Sequence, residues 1–178
     1  KSQFKDALSS YDQLLKIAIK IGDKHEESNS YDGMATVYHQ RQEFEQSIKF
    51  HLKAIKIEKE INDKNGLASS YCNLSLTFFD MGKIDDAKTH LDKGLNLFKE
   101  MGNSRAIEIG NFEMSKFLYF EDDYISAIDI LNPAIKYFKE IDDTIFLLRS
   151  LIQLGTLQRL NKQSEESVKT LNEALEIA

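Results

Sequence analysis

Four short strings, KIGDK at 20–24, EINDK at 60–64, EMGNS at 100–104 and EIDDT at 140–144, stand forty residues apart along a chain of 178 residues. A fixed period of this size constrains the fold more than any local motif, because it marks stacked supersecondary units. Aligned at forty, Tyr31, Tyr71, Asn111 and Leu151 share a column. Met34, Leu74, Met114 and Leu154 follow three positions on, and then the small residues Ala35, Ser75, Ser115 and Gly155. Ala7, Ser47, Ala87, Ala127 and Ser167 form a column that is small throughout. A further column holds Leu14 and then the small residues Ala54, Gly94, Ala134 and Ala174.

Within each unit the apolar spacings of three, four and seven predict amphipathic helices. In the first segment Phe4, Ala7, Leu8, Tyr11, Leu14, Leu15, Ala18 and Ile19 share one face. Each full unit divides at a polar joint: QRQE (40–43), DMGK (80–83), FEDD (120–123) and LNKQ (160–163). Each unit is therefore two antiparallel helices of about four turns. The four opening strings are the turns between pairs, where Gly, Asn and Asp tolerate left-handed backbone. The small columns mark close helix crossings, where axes about 8–10 Å apart leave no room for a large side chain. A single proline and eight glycines suit helices better than strands and turns. The proline, Pro133, falls about two turns into a predicted helix, where a local kink is expected.

The chemistry expected of this chain is sparse. His25, His39, His51 and His90 lack the helical spacing of a zinc site. His51 falls in a packing column and is expected to fill the core. No G-x-S-x-G, P-loop, CxxC or HExxH sequence occurs. Cys72 and His39 are offset by about 10 Å if their helices run parallel, too far for a thiolate pair. The acidic runs at 85–86 and 121–123 suit the positive ends of helix dipoles. These readings imply no cofactor, no metal and no enzymatic activity. A net charge of −6 argues against nucleic acid as a direct partner. No apolar run approaches the length of a membrane span. The lone cysteine fits a reducing, cytoplasmic setting.

The columns resemble the tetratricopeptide repeat. YDGMATVYHQRQEFEQSIKFHLKA (31–54) and YCNLSLTFFDMGKIDDAKTHLDKG (71–94) follow its large, small and aromatic positions, and 111–134 and 151–174 follow them less fully. Tryptophan is absent from the first column, and the usual closing proline is missing. A HEAT-type repeat is the structural alternative. The forty-residue period is similar to that of kinesin light chains and of bacterial peptide-pheromone receptors and sensory regulators. The resemblance implies an all-α, right-handed superhelical solenoid of antiparallel helix pairs, with about nine helices. It implies a half repeat at 1–23 and repeats at 24–63, 64–103, 104–143 and 144–178, within a single domain excerpted from a longer protein.

By the same resemblance, the first helix of each pair lines a concave groove. Its lining would be Asn29, Asp32, Thr36 and His39, then Ser69, Cys72, Asn73, Leu76 and Phe79. Next come Ile109, Phe112, Glu113, Lys116 and Tyr119, and finally Arg149, Ile152, Gln153, Thr156 and Arg159. Asn73 resembles a peptide-backbone-binding asparagine of forty-residue relatives, with Phe79, Phe112 and Tyr119 as apolar anchors. Arg149 and Arg159 would attract the acidic portion of a peptide, and Asp32 any basic portion. The chaperone-tail clamp is not matched: Asp32, Thr36, Asn73, Ile109 and Glu113 occupy its positions, and only Asn73 fits. The expected function is non-catalytic binding of a protein or peptide. The alternative is the sensory or regulatory region of a bacterial histidine kinase, transcription regulator or pheromone receptor whose output domain lies elsewhere. Weak self-association is expected through exposed terminal helices, since Phe4, Leu8 and Leu15 lack a preceding partner helix. The column register also makes a direct prediction: Ala87→Leu or Ala127→Leu overpacks a close crossing and costs roughly 1–3 kcal/mol. Unchanged melting of both variants contradicts the register.

Overall fold

A computed structural model describes residues 2–178 of the chain. Among these residues there are nine helices: α1 (Ser2–Ile21), α2 (Lys24–Gln40), α3 (Phe44–Glu60), α4 (Lys64–Asp80), α5 (Ile84–Glu100), α6 (Ser104–Phe120), α7 (Tyr124–Glu140), α8 (Thr144–Leu160) and α9 (Ser164–Ile177). None of them is long and apolar enough to cross a membrane. From α2 to α8 every helix has 17 residues.

The turns explain this regularity. Positive φ recurs every twenty residues, at Gly22, Gln42, Asn62, Gly82, Gly102, Asp122, Asp142 and Lys162. At every one of these turns except that of Gly102, the residue after the left-handed position bonds back to the ending helix, as in Asp23 N–H to Ala18 O at 2.9 Å and Gln163 N–H to Gln158 O at 2.8 Å. That bond closes the helix C-terminus in the manner of a Schellman turn. The same residue is the N-cap of the next helix. Asp23, Asp63, Asn103, Asp123 and Asp143 each accept a backbone N–H three residues on. Two residues thus stop one helix and start another. The left-handed position is not confined to Gly, Asn and Asp, since Gln42 and Lys162 also occupy it.

Contacts divide the chain into two compact units, one ending at Gly102 and one beginning at Asn103. In the first, α2 packs against α1 and α3, α4 packs against α3 and α5, and α2 touches α4. In the second, α7 packs between α6 and α8, α9 covers α8, and α6 touches α8. Ser47, Ala87, Ala127, Ala35, Ser75 and Ser115 are fully buried, as close crossings require. A Cβ on Gly94 would lie 2.5 Å from Cys72 Sγ and 2.8 Å from the Ala68 carbonyl oxygen, so α4 and α5 approach too closely there for a side chain. The second unit's core includes Phe112, Leu131, Phe138, Leu151 and Leu157.

Two expectations change. Leu14 and Ile19 do not share the burial of Ala18 but are exposed, as are Ile17 and Ile21. The reason is that α1 packs chiefly against α2, whereas α3 lies between α2 and α4. Pro133 sits inside α7, which runs unbroken from Tyr124 to Glu140. Its ring is exposed, so the missing N–H falls on the solvated side of the helix.

Strain at the turns can be measured. Left-handed backbone costs an ordinary side chain roughly 1–2 kcal/mol. Lys162→Gly is therefore expected to raise stability by up to about 1 kcal/mol, and Gly82→Ala to lower it by about as much. Urea midpoints report both, and a Gly82→Ala variant as stable as the parent contradicts the strain argument.

Candidate functional site

The first unit brings several of the sequence-predicted residues together. Asn29 and Thr36 are exposed on α2, and Ser69, Leu76 and Phe79 are half-buried on α4. Thr36 Oγ1 donates to the Asp32 carbonyl, a bond within its own helix. His39 is not free: its Nε2 lies 2.7 Å from Asp80 Oδ2, beside an open cleft lined also by Gln40, Gln42 and Phe44. Asn73 is not a free amide either, because its Nδ2 donates to Asp32 Oδ2 at 3.0 Å. That bond fixes which way the amide points. One N–H and the carbonyl oxygen of Asn73 remain for a ligand.

Asp32 is the hub of a larger cluster. Its Oδ1 accepts from His51 Nδ1 at 2.7 Å and faces Ser70 Oγ at 3.3 Å. Ser70 Oγ also lies 2.9 Å from Glu58 Oε1. His51, Ser70 and Glu58 are 1–2% exposed. Glu58 Oε2 is buried with no hydrogen-bond partner among the described residues. Burial pushes the Glu58 carboxyl up from 4.5 to about 7; the negative charges of Asp32 and Asp63 add to this, and the Ser70 hydroxyl opposes it. The expectation that His51 fills the core holds for its burial, but it does so as a hydrogen-bond partner of Asp32. Asp80, Glu58 and Ser70 were missed by the sequence reading. The signal was present in the columns: Glu58 stands where later units place Phe98 and Phe138, and His51 where they place Leu91, Leu131 and Leu171.

The second unit differs. Phe112, expected as an exposed anchor, is 5% exposed and belongs to the hydrophobic core. Its ring meets Phe146 of α8 edge-on at 6.3 Å, and that contact draws it inward. Ile109 and Tyr119 are half-buried against the same core. Glu113 and Lys116 pair at 2.5 Å, and Gln153 is half-buried. Arg149 is exposed, with its guanidinium carbon 4.9 Å from the Phe112 ring centre and 5.2 Å from that of Phe146. Neither Arg149 nor Arg159 forms an ion pair among the described residues. Helix α8 carries no Asp or Glu at all. On this helix Ile145, Arg149, Ile152, Thr156 and Arg159 follow spacings of four and three, which place them on one stripe. Ile145 and Ile152 are exposed. No group of three or more His, Cys, Asp or Glu among the described residues could hold a metal ion.

These features define an all-α repeat of helix pairs joined by capped left-handed turns. Residues 27–100 and 148–178 each match a family described as the tetratricopeptide repeat. The chain belongs to the tetratricopeptide-repeat family. No curated protein matches it. Among solved structures, it is similar to BtubC (BKLC) from P. vanneervenii, at 18% identity and a TM-score of 0.90, covering 98% of this chain and 73% of that one. It is similar to a Rap protein complexed with Competence and Sporulation Factor, at 16% identity and a TM-score of 0.85, covering 99% of this chain and 50% of that one. A signal transduction ATPase with numerous domains from Pyrococcus horikoshii, which has a tetratricopeptide-repeat sensor, is similar at 20% identity and a TM-score of 0.80. There the match covers 96% of this chain and 26% of that one.

The buried carboxyl makes stability depend on pH. Because the folded pKa of Glu58 lies above its ordinary value, the folded state holds more protons between 4.5 and about 7. Its contribution is most favourable below that window and is lost as pH rises through it. The full swing is roughly 3 kcal/mol. Glu58→Gln should abolish this slope and stabilise the chain at alkaline pH. The check is a comparison of urea midpoints for parent and variant on both sides of the window. Parallel pH profiles would show that Glu58 is not the group responsible.

Proposed function

We propose that the chain is a non-catalytic scaffold that binds a peptide or protein segment through the even-numbered helices of a unit, in a cytoplasmic setting. The observation that carries this reading is Arg149. A guanidinium flanked by two phenylalanine rings, with no ion partner, loses little freedom when it meets a carboxylate. It stands on an acid-free helix of a chain whose net charge is −6. Exposed Ile145 and Ile152 alternate with Arg149 and Arg159, which suits a segment with aliphatic residues between its acids. In the first unit, the half-buried Asn73 keeps one N–H and its carbonyl oxygen, a donor and an acceptor that suit a peptide backbone.

The likeness to a Rap protein complexed with Competence and Sporulation Factor, and to an ATPase with a repeat sensor, supports the second reading. On that reading the chain is the sensory or regulatory region of a bacterial signalling protein whose output domain lies elsewhere. Weak self-association through the terminal helices is part of the same reading, with exposed Leu14, Ile17 and Ile21 in place of Phe4, Leu8 and Leu15, which are half-buried.

The test uses two dye-labelled model peptides of alternating Glu and Leu, or Lys and Leu. The acidic one should bind, weaken with salt and lose about tenfold or more in affinity in the double variant Arg149→Gln, Arg159→Gln. Equal binding of both peptides by parent and variant removes α8 as the binding surface.

A further inference from the structure

The ionisable cluster of the first unit has one proton too few for its acceptors. Ser70 carries a single hydroxyl hydrogen yet lies within reach of both Glu58 Oε1, at 2.9 Å, and Asp32 Oδ1, at 3.3 Å. Which acceptor receives it depends on Glu58. With Glu58 protonated, its O–H donates to Ser70 Oγ, and the Ser70 hydroxyl turns to Asp32. With Glu58 ionised, its carboxylate can only accept and takes the Ser70 hydrogen. Asp32 then has two donors left, His51 Nδ1–H and Asn73 Nδ2–H. A carboxylate with fewer donors polarises each remaining one more strongly, and the low-dielectric surroundings amplify the effect.

We propose that Glu58 is a positioning residue whose protonation state is relayed through Ser70 and Asp32 to the side-chain amide of Asn73. The chain of contacts runs from the last turn of α3, across Ser70 of α4, to Asp32 of α2 and back to half-buried Asn73 on α4. Loss of the Glu58 proton to solvent moves the Ser70 hydrogen from Asp32 to Glu58 and tightens the hold of Asp32 on Asn73. No bond other than O–H is broken. The relay can act near neutral pH because burial has already brought the Glu58 carboxyl to that range.

The charged and titratable groups that bear on Glu58 are few. They are Asp32 from α2, His51 on α3 itself, and Asp63 from the following turn, which is joined to His25 of α2 at 3.2 Å. The device is confined to this helix trio. Eighty residues on, Phe112, Leu131 and Phe138 stand in place of Asp32, His51 and Glu58, and all three belong to the hydrophobic core. A pair of this fold therefore packs without ionisable groups here, and the stability of the fold does not require them.

The relay acts on the amide assigned above to a peptide backbone, and its meaning for binding rests on that reading. Its test needs no ligand. The side-chain amide protons of Asn73 and the side-chain carboxyl carbon of Glu58 are followed by NMR across neutral pH in the whole chain. The expected result is one shared midpoint, with the Asn73 proton moving downfield as pH rises. In Glu58→Gln and in Ser70→Ala the Asn73 signal should be flat. A wild-type Asn73 signal that does not titrate, or a midpoint differing from that of Glu58, overturns the proposal. So does a titration that persists unchanged in Glu58→Gln, which would assign it to His51. If the variants fail to fold, the shared or unshared wild-type midpoint still decides. A relay that titrates while no peptide binds would leave it standing and discard the binding role of Asn73.

Discussion

Everything in this chain hangs on a turn of three residues that must end one helix and begin the next. The left-handed residue lets the following N–H reach back to the old helix, and that same following residue caps the new one. Because the two tasks are merged, the turn has no slack, and each helix between turns is held to 17 residues from α2 to α8. Fixed length fixes phase. Residues forty apart then meet equivalent neighbours, so Ala87 and Ala127 find the same close crossing and Ser47 a similar one. What each column does at the surface still varies, since Phe112 is buried while Ile152, forty residues on, is exposed.

On this constant backbone the interior chemistry is variable. The helix trio of the second unit is filled by Phe112, Leu131 and Phe138, while the first unit uses Asp32, His51 and Glu58 at the same places. The apolar version rests on burial alone. The ionisable version must satisfy nearly every polar atom, because an unpaired buried group forfeits its solvation. It nearly succeeds, leaving Glu58 Oε2 unpaired. The exchange replaces non-directional packing by directional bonds that reach the edge of the site at Asn73.

The turn strings and the small columns made the fold legible, because both arise from backbone geometry that recurs in every unit. The site was less legible, for reasons of distance in sequence. Phe112 is drawn inward by Phe146, which belongs to the next even-numbered helix and is invisible within one repeat. Asn73 is oriented by Asp32, 41 residues earlier. Glu58 reads as a solvated residue in the last turn of a helix, and only comparison with Phe98 and Phe138 marks it as buried. At the turns, composition misled where register did not: Gln42 and Lys162 are poor left-handed residues but stand at the right count.

The unlike filling of equivalent positions also bears on how such a chain finds its own arrangement. Tandem repeats risk docking a helix against the wrong copy of its neighbour, since every copy offers similar ridges and grooves. Here the error carries a penalty. An exchange that set α2 against α7 in place of α3 would leave the half-buried Asp32 carboxylate facing Leu131 and Phe138, without the donor that His51 supplies. The converse exchange would press Phe112 against His51 and Glu58. The mismatch of one polar interior and one greasy one is thus a label, written in the core, that tells near-identical segments apart while they assemble.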